Sequence, residues 1–269
     1  MTAILGLEFI QNAILAGILA SVACGVIGSL VVVNRQVFMA GGVAHAAYGG
    51  VGLAFFLGLP VLPCTVVFTA LAAMGMAQAS FGRAERADAL VGVMWAAGMA
   101  LGIILMDLTP GYNVDLMSYL FGSILAVPTR DVWFMAGLDL IIIGVVMFWY
   151  KDFLALSFDQ EFARSTGVPV RLLHTLMQVL TAVTVVLVIQ VAGLILVIAL
   201  LTIPPMLAEL FTDSLWKMML LATLASLVFC LCGLAISYHF DLTSGASIIA
   251  VGTLGYVLAR GGRTAWKKS

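Results

Sequence analysis

Two apolar runs in the middle of the chain, residues 131–150 and 171–190, enclose the charged segment Asp159-Gln-Glu-Phe-Ala-Arg-Ser-Thr-Gly-Val-Pro169. Each run is close to the roughly 20 residues that a helix needs to cross the hydrocarbon core of a bilayer. Charged side chains, by contrast, are expensive inside a bilayer. The pattern predicts two spanning helices joined by a polar loop of about residues 151–171.

The rest of the chain continues this alternation. Of its 269 residues, 63% are hydrophobic and only 9% are charged, whereas a soluble domain has roughly 25% charged residues. We therefore predict an all-α fold, a polytopic transmembrane helix bundle of about eight or nine spans that forms a single domain over residues 1–269 and has the lipid bilayer as its main solvent. The net charge of −1 gives no basis for a nucleic-acid partner. The candidate spans are 10–33, 37–58, 61–80, 88–106, 131–150, 171–190, 193–212, 217–237 and 242–260.

Two stretches depart from this regular pattern. Residues 107–130 combine a polar loop with the apolar run Leu116–Val127, which is too short to cross, so we predict an external loop followed by a helix in or dipping into the membrane. Pro204-Pro205 lies within the seventh candidate span. Because proline removes a backbone donor and obstructs helix continuation, we expect a broken helix near this pair.

The basic residues indicate the orientation, since Lys and Arg concentrate on the cytoplasmic side of membrane proteins. Threading the nine spans places eleven of the 12 Lys and Arg residues on one side, with only Arg130 on the other. This predicts an external N-terminus, a cytoplasmic C-terminus and a cytoplasmic loop at residues 151–171.

A short helix is predicted within that cytoplasmic loop. Ser157 or Asp159 can cap its N-terminus, Glu161 favours its first turn, and Gly167 can end it. Phe162 is then an apolar side chain on a helix outside the membrane. An ordinary connecting loop does not explain this, so the pattern favours a docking helix.

His45 is the first ionisable residue predicted inside the membrane. Gly42, Ala46 and Gly50 form a row of small residues at helical spacing in the same span, and such rows allow neighbouring helices to approach closely. His45 should therefore face protein or a pore rather than lipid. Imidazole is a common ligand for zinc and other transition metals, although a structural histidine bonded to a carbonyl is the alternative.

Two carboxylates are further candidates for a cation site. Asp139 lies in the middle of the fifth candidate span, and Glu209 follows Pro204-Pro205 in the seventh. Ionisable groups at such depths are functional candidates because burying them is costly. Glu209 could bind a cation or accept backbone donors at the expected helix break.

The sequence contains no GxxxxGK[ST] phosphate loop and none of the common catalytic motifs. We therefore predict that the chain is not an enzyme and has no resident cofactor. If ATP drives its activity, another polypeptide must bind the ATP.

Five segments, in order, resemble the membrane permease of the bacterial and archaeal zinc/manganese/iron ABC importers. The resemblance covers nearly the whole chain, and the charged segment is its most specific part. The matching segments are Val37-Phe-Met-Ala-Gly-Gly-Val-Ala-His45-Ala-Ala-Tyr-Gly-Gly-Val51, Asp115-Leu-Met-Ser-Tyr-Leu-Phe-Gly-Ser-Ile-Leu125, Asp159 to Pro169, Gly193-Leu-Ile-Leu-Val-Ile-Ala-Leu-Leu-Thr-Ile-Pro204 and Ser244-Gly-Ala-Ser-Ile-Ile249.

The resemblance implies specific partners in the cell (inner) membrane: a second permease copy, ATP-binding cassette ATPase subunits and an extracytoplasmic metal-binding protein. It implies that His45 lies on the metal path. Glu209 and Asp139 are the other candidate metal residues, on the ground of their positions in the spans. Gly41 stands where many members have Asp. The resemblance also implies a coupling helix that contacts the ATPase through Asp159, Glu161, Phe162, Ala163, Arg164 and Gly167.

The function expected on this basis is import of a divalent transition metal ion, zinc or manganese. Histidine favours zinc and carboxylates favour manganese, so the metal stays open. The alternatives are an ABC permease for iron chelates or cobalamin, a secondary metal transporter that works alone, and a membrane scaffold without transport activity.

Overall fold

The structure is a computed structural model that describes residues 8–82, 84–110 and 127–266. Within this part of the chain, every regular element is an α-helix, which confirms the all-α prediction. The helices are α1 Glu8–Val33, α2 Val37–Leu57, α3 Val61–Ser80, α4 Ala84–Asp107, α5 Thr129–Phe148, α6 Tyr150–Phe158, α7 Gln160–Ser165, α8 Val170–Glu209, α9 Leu215–Phe240 and α10 Ser244–Trp266.

Seven helical stretches are long and apolar enough to cross a membrane, so the chain is a multi-pass membrane protein. They are α1, α2, α3, Ala87–Asp107 of α4, α5, Val170–Ile189 of α8 and α9. The predicted seventh span corresponds to the shorter apolar helix Leu196–Glu209, and the predicted ninth corresponds to α10. Residues 111–126, which hold most of the predicted membrane-dipping helix, lie outside the described residues.

Helix α8 is interrupted at Gly193, whereas the sequence predicted a break near Pro204-Pro205. Gly193 has φ 73° and ψ 174°, a conformation that glycine adopts readily because it has no Cβ. Both prolines lie inside the helical stretch that continues to Glu209. The prediction therefore placed the break at the wrong residue.

A neighbouring helix covers a carbonyl that one of the prolines leaves without its helical donor. Pro205 has no N–H, so it leaves the carbonyl of Leu201, four residues earlier, without its helical donor. Gly28 of α1 packs directly on this point, since a Cβ at Gly28 would lie 2.7 Å from the Leu201 carbonyl oxygen and 3.0 Å from Pro205 Cγ. The freed carbonyl is thereby covered by protein, as a proline-containing helix in a membrane requires.

The chain forms two compact units. The first comprises Met1–Val32, Met117–Ile143 and Val188–Ser269, and the second comprises Val33–Leu116 and Gly144–Leu187. In the first unit, glycines allow close packing of α1 on α9 and of α9 on α10, through Gly25 against Thr223 and Gly233 against Ile248. In the second unit, α2 packs on α3 and most extensively on α4, and α7 packs on α6.

Candidate functional site

Helix α6 forms the base of the charged segment. Its Phe153 and Leu156 side chains are buried. Ser157, near its end, accepts a 2.9 Å hydrogen bond from Asn34 Nδ2 and donates to the Phe153 carbonyl. These contacts fix the point from which the next helix starts. Ser157 is therefore not the cap of that next helix.

Asp159 caps the N-terminus of α7, as predicted. Its backbone is extended, with φ −156° and ψ 114°. Its Oδ1 accepts the backbone N–H groups of Glu161 at 2.8 Å and Phe162 at 3.2 Å. These are donors that the first turn of a helix otherwise leaves without a partner. The carboxylate also lies at the positive end of the helix dipole.

Gly167 ends α7 in the way that its position predicted. It has φ +83°, which suits glycine. Its N–H donates to the Arg164 carbonyl at 3.1 Å, and the N–H of Val168 donates to the Ala163 carbonyl at 3.0 Å. These two bonds are the pair found in a Schellman motif. The short helix α7 is thus capped at both ends by its own flanking residues.

The side chains of α7 divide into one buried residue and an exposed set. Ala163 is 0% exposed, so it faces the protein and cannot contact a partner directly, although the resemblance placed it among the contact residues. Phe162 is 58% exposed, and Asp159, Glu161 and Arg164 are exposed as well. An apolar ring surrounded by exposed charges is typical of a docking surface.

His45 stacks against a tryptophan on α4. Its ring lies 3.8 Å from the Trp95 ring, centroid to centroid, at an interplanar angle of 10°. Trp95 is itself oriented by a 3.0 Å hydrogen bond from its Nε1 to Met99 Sδ. The Nδ1 atom of His45 is buried and has no hydrogen-bond partner in the described residues. The imidazole is held in place, yet one nitrogen is left for a ligand.

Glycines on both helices bring α2 and α4 together around His45. A Cβ at Gly98 would lie 2.6 Å from Ala46 Cα, and one at Gly102 would meet the Tyr48 backbone. The prediction that the small residues of α2 permit close approach is confirmed. Sequence reasoning did not single out Trp95 or the partner row on α4, although Gly98 and Gly102 have the Gly-x-x-x-Gly spacing that could have indicated it.

The two candidate carboxylates lie in different environments. Asp139 is 3% exposed, and neither carboxylate oxygen has a hydrogen-bond partner in the described residues. Glu209 is the last residue of α8 and is exposed, so the expectation of a buried Glu209 beside a helix break is wrong. The reason is that the helix is continuous through the prolines and ends only at this residue.

No metal cluster forms within the described part of a single chain. Among residues 8–82, 84–110 and 127–266, no group of three or more His, Cys, Asp or Glu side chains could hold a metal ion together. His45, Asp139 and Glu209 are therefore separate candidates.

The spanning helices, the intramembrane histidine and the exposed, capped helix outside the spans define a multi-pass membrane permease. The sequence then identifies the family, since residues 6–261 match the ABC 3 transport family. The chain belongs to this family. The resemblance to the permeases of metal ABC importers is thereby confirmed.

Related proteins match along nearly their whole length. The chain is 32% identical over 256 residues to the manganese transport system membrane protein MntC of Halalkalibacterium halodurans, covering 95% of this chain and 88% of that protein. It is 30% identical over 252 residues to the manganese import system permease protein ScaB of Streptococcus parasanguinis, covering 94% and 90%.

A solved structure shows the same fold. The structure described as PsaBC from Streptococcus pneumoniae in complex with Fab superposes with a TM-score of 0.85 at 30% sequence identity, covering 94% of this chain and 91% of that chain. A second structure, an inward-facing putative metal-chelate type ABC transporter, has a TM-score of 0.71 at 17% identity and supports the fold alone.

Proposed function

We propose that the chain is the transmembrane subunit of an ATP-driven importer of divalent transition metal ions, with manganese as the first candidate cargo. The observation that carries this proposal is the exposed, doubly capped helix α7 in a member of a transport family whose sequence has no phosphate loop. Relatives named for manganese transport, MntC and ScaB, support the choice of metal.

In this proposal, α7 is the coupling helix. Phe162 inserts into a cleft of the ATPase subunit, and Glu161 makes a polar contact beside it. Arg164, whose guanidinium lies over the Phe81 ring, supports the helix rather than contacting the ATPase. Asp159 and Gly167 keep the helix formed, and Ala163 seats it against the protein. When ATP binding brings two ATPase subunits together, the rigid helix transmits their movement to the spans, and hydrolysis resets the assembly.

The metal path begins, in this proposal, with an extracytoplasmic binding protein that delivers the ion to the external loops. The ion then passes the unpartnered Nδ1 of His45. A single imidazole binds weakly, which suits a group that must release its cargo. The equivalent histidine of a second permease copy adds a second ligand.

Asp139, in the first compact unit, is proposed to contribute a carboxylate to the metal path. A buried carboxylate without a hydrogen-bond partner is costly unless a cation or a proton neutralises it. Carboxylate oxygens suit manganese. Glu209, which is exposed at the end of α8, is better placed to meet an ion that enters or leaves than to hold one inside the membrane.

The proposed location is the inner membrane, with α7 and the C-terminus in the cytoplasm. Nine crossing segments are consistent with this orientation if the two parts of α8, on either side of Gly193, cross separately. The single domain predicted over residues 1–269 then contains both compact units. The basic residues of the coupling loop and of α10 lie on the same side of the membrane.

The function is tested by uptake of radioactive manganese into proteoliposomes that contain the permease and its ATPase subunit. We expect uptake to require binding protein outside the vesicles and ATP inside them. An excess of unlabelled manganese outside should suppress uptake of the radioactive ion. Uptake without the ATPase subunit would indicate a secondary transporter. Uptake of an iron chelate or cobalamin, with no uptake of free manganese or zinc, would indicate the other class of ABC permease.

A further inference from the structure

A cleft of about 1050 Å³ opens next to the coupling helix, within the second compact unit. Most of its wall is apolar and comes from α3, from the start of α8 and from the residue that precedes α6. The apolar lining includes Met74, Trp149, Leu172, Leu176 and Val179. The cleft is therefore a surface groove that prefers an apolar occupant.

Two arginines stand at the polar end of this groove. Arg164 of α7 and Arg171 of α8 both lie over the ring of Phe81, with guanidinium carbons 5.6 and 5.9 Å from the ring centroid. Arg171 also donates from Nε to Gln78 Oε1 at 2.8 Å. Neither guanidinium pairs with a carboxylate in the described part of the chain. Two positive charges at the same end of a groove attract an anion to that end.

We propose that this groove binds an anionic phospholipid of the cytoplasmic leaflet, with its phosphate on Arg164 and Arg171 and an acyl chain along the apolar wall. This inference rests on the orientation given under the proposed function. Anionic lipids of that leaflet are attracted to Lys and Arg near the membrane surface. Trp149 directly follows the candidate span Thr129–Phe148, and tryptophan is enriched at the ends of spans, between the apolar core and the headgroups.

The exposed face of α3 extends the apolar surface beyond Met74, at the edge of the groove. Val67, Leu71 and Met74 are spaced by one turn of the helix and are 59%, 62% and 44% exposed. Residues at this spacing lie on the same face. They form an apolar stripe that leads away from Gln78 and from the two arginines.

The depth of the groove favours a lipid over the ATPase subunit as its occupant. Leu176 and Val179 belong to Val170–Ile189, one of the segments long and apolar enough to cross a membrane, and they lie further along it than Arg171. A water-soluble subunit that docks on α7 does not reach side chains at that depth, whereas a lipid does. Because Arg164 belongs to α7, the bound headgroup would also tether the coupling helix to the membrane surface.

The test measures lipid retention on the permease in complex with its ATPase subunit. The complex is reconstituted in nanodiscs of dioleoyl phosphatidylcholine with a minor fraction of dioleoyl phosphatidylglycerol, and retained lipids are identified by native mass spectrometry. We expect phosphatidylglycerol to be retained in preference to phosphatidylcholine. The double variant Arg164→Gln/Arg171→Gln should weaken that binding about 25-fold, from about fivefold for each basic residue near a membrane surface.

Two further variants make the result specific. Arg263→Gln removes an exposed arginine of α10 that is predicted on the same side of the membrane, and retention should stay at the wild-type level. Leu172→Trp fills the groove while both arginines remain, so retention should fall although the positive charge is unchanged. This variant keeps the test valid if the double variant fails to fold.

Three results would overturn the inference. One is equal retention of the two lipids, and another is wild-type retention by the folded double variant. The third is cross-linking of Leu172→Cys to the ATPase subunit, which would identify protein as the occupant. Lipid retention is measured without ATP or metal, so its failure is distinguishable from a failure of the transport assay.

Discussion

Helix α2 lies so close to α4 that a single Cβ at Gly98 would collide with the backbone of Ala46, whereas α7 exposes nearly every side chain that it carries. The conformation of α2 around His45 depends on a neighbouring helix. The conformation of α7 depends on bonds made by Asp159 and Gly167, which flank the helix itself.

The two regions therefore tolerate change differently. In lipid, helices gain little from burying apolar surface, so close contact between small residues provides much of the packing energy. Added bulk between α2 and α4 should unfold the second compact unit. A change on the exposed face of α7 should leave the fold intact and remove only the contact with a partner.

The largest expected effect comes from Gly98→Leu. The added side chain would stand where Ala46 Cα lies 2.6 Å away, and backbone cannot yield as a flexible side chain can. Overpacking typically costs about 1–3 kcal/mol and occasionally more, and a clash with backbone belongs at the upper end of that range. We expect little folded protein in detergent, as measured by size-exclusion chromatography and thermal unfolding.

Gly92→Leu on the same helix is the matched control. No atom lies within 4 Å of a Cβ at Gly92, so this variant should behave as the wild type does. If the two variants were equally stable, the close contact between α2 and α4 would not be the source of the stability of the second compact unit.

The second effect in size comes from Phe162→Ala. Truncation of a central aromatic contact in a protein interface costs about 2 kcal/mol or more, so we expect binding to the ATPase subunit to weaken about 30-fold. The unfolding temperature should not change, since Phe162 is 58% exposed. Binding is measured by titration of the purified subunits.

Phe148→Ala serves as the control for this variant, because Phe148 is an equally large side chain, 78% exposed, in the spanning helix α5. It should leave the affinity for the ATPase unchanged. If Phe162→Ala bound the ATPase subunit as tightly as the wild type, α7 would not be part of the interface. The proposed difference between α7 and the α2–α4 region would then be wrong.

The smallest of these effects is expected for Asp159→Ala. The variant loses the acceptor for the N–H groups of Glu161 and Phe162, and loss of such a cap costs about 1 kcal/mol. Helix α7 would then be formed less of the time, and metal-stimulated ATP hydrolysis should fall about fivefold. Asp159→Asn keeps an acceptor and should retain most of the activity. Equal loss in both variants would show that the charge matters rather than the cap.

The features that sequence predicted well are local ones. The contrast between apolar and charged residues located the seven stretches that are long and apolar enough to cross a membrane, because hydropathy acts on each segment separately. The ends of α7 were predictable because the capping bonds at Asp159 and Gly167 join residues that are close together in the sequence.

Features that depend on contacts between helices were predicted less well. The break expected at Pro204-Pro205 occurs at Gly193, and Gly28 of another helix covers the carbonyl that Pro205 leaves free. The stacking of Trp95 on His45 joins residues 50 positions apart in sequence. No pattern within α2 could indicate it, and the glycine spacing of α4 was the one available sign.

The most direct test of the metal path is ATP-driven manganese uptake by His45→Ala in proteoliposomes, measured together with binding of the ATPase subunit. We expect uptake to fall by about tenfold or more, which corresponds to about 1.4 kcal/mol, with ATPase binding unchanged. His239→Ala, which removes an exposed histidine at the end of α9, should transport normally. Wild-type uptake by His45→Ala would contradict the assignment of His45 to the metal path. Loss of ATPase binding in that variant would contradict the proposal that the metal path and the coupling helix α7 are separate.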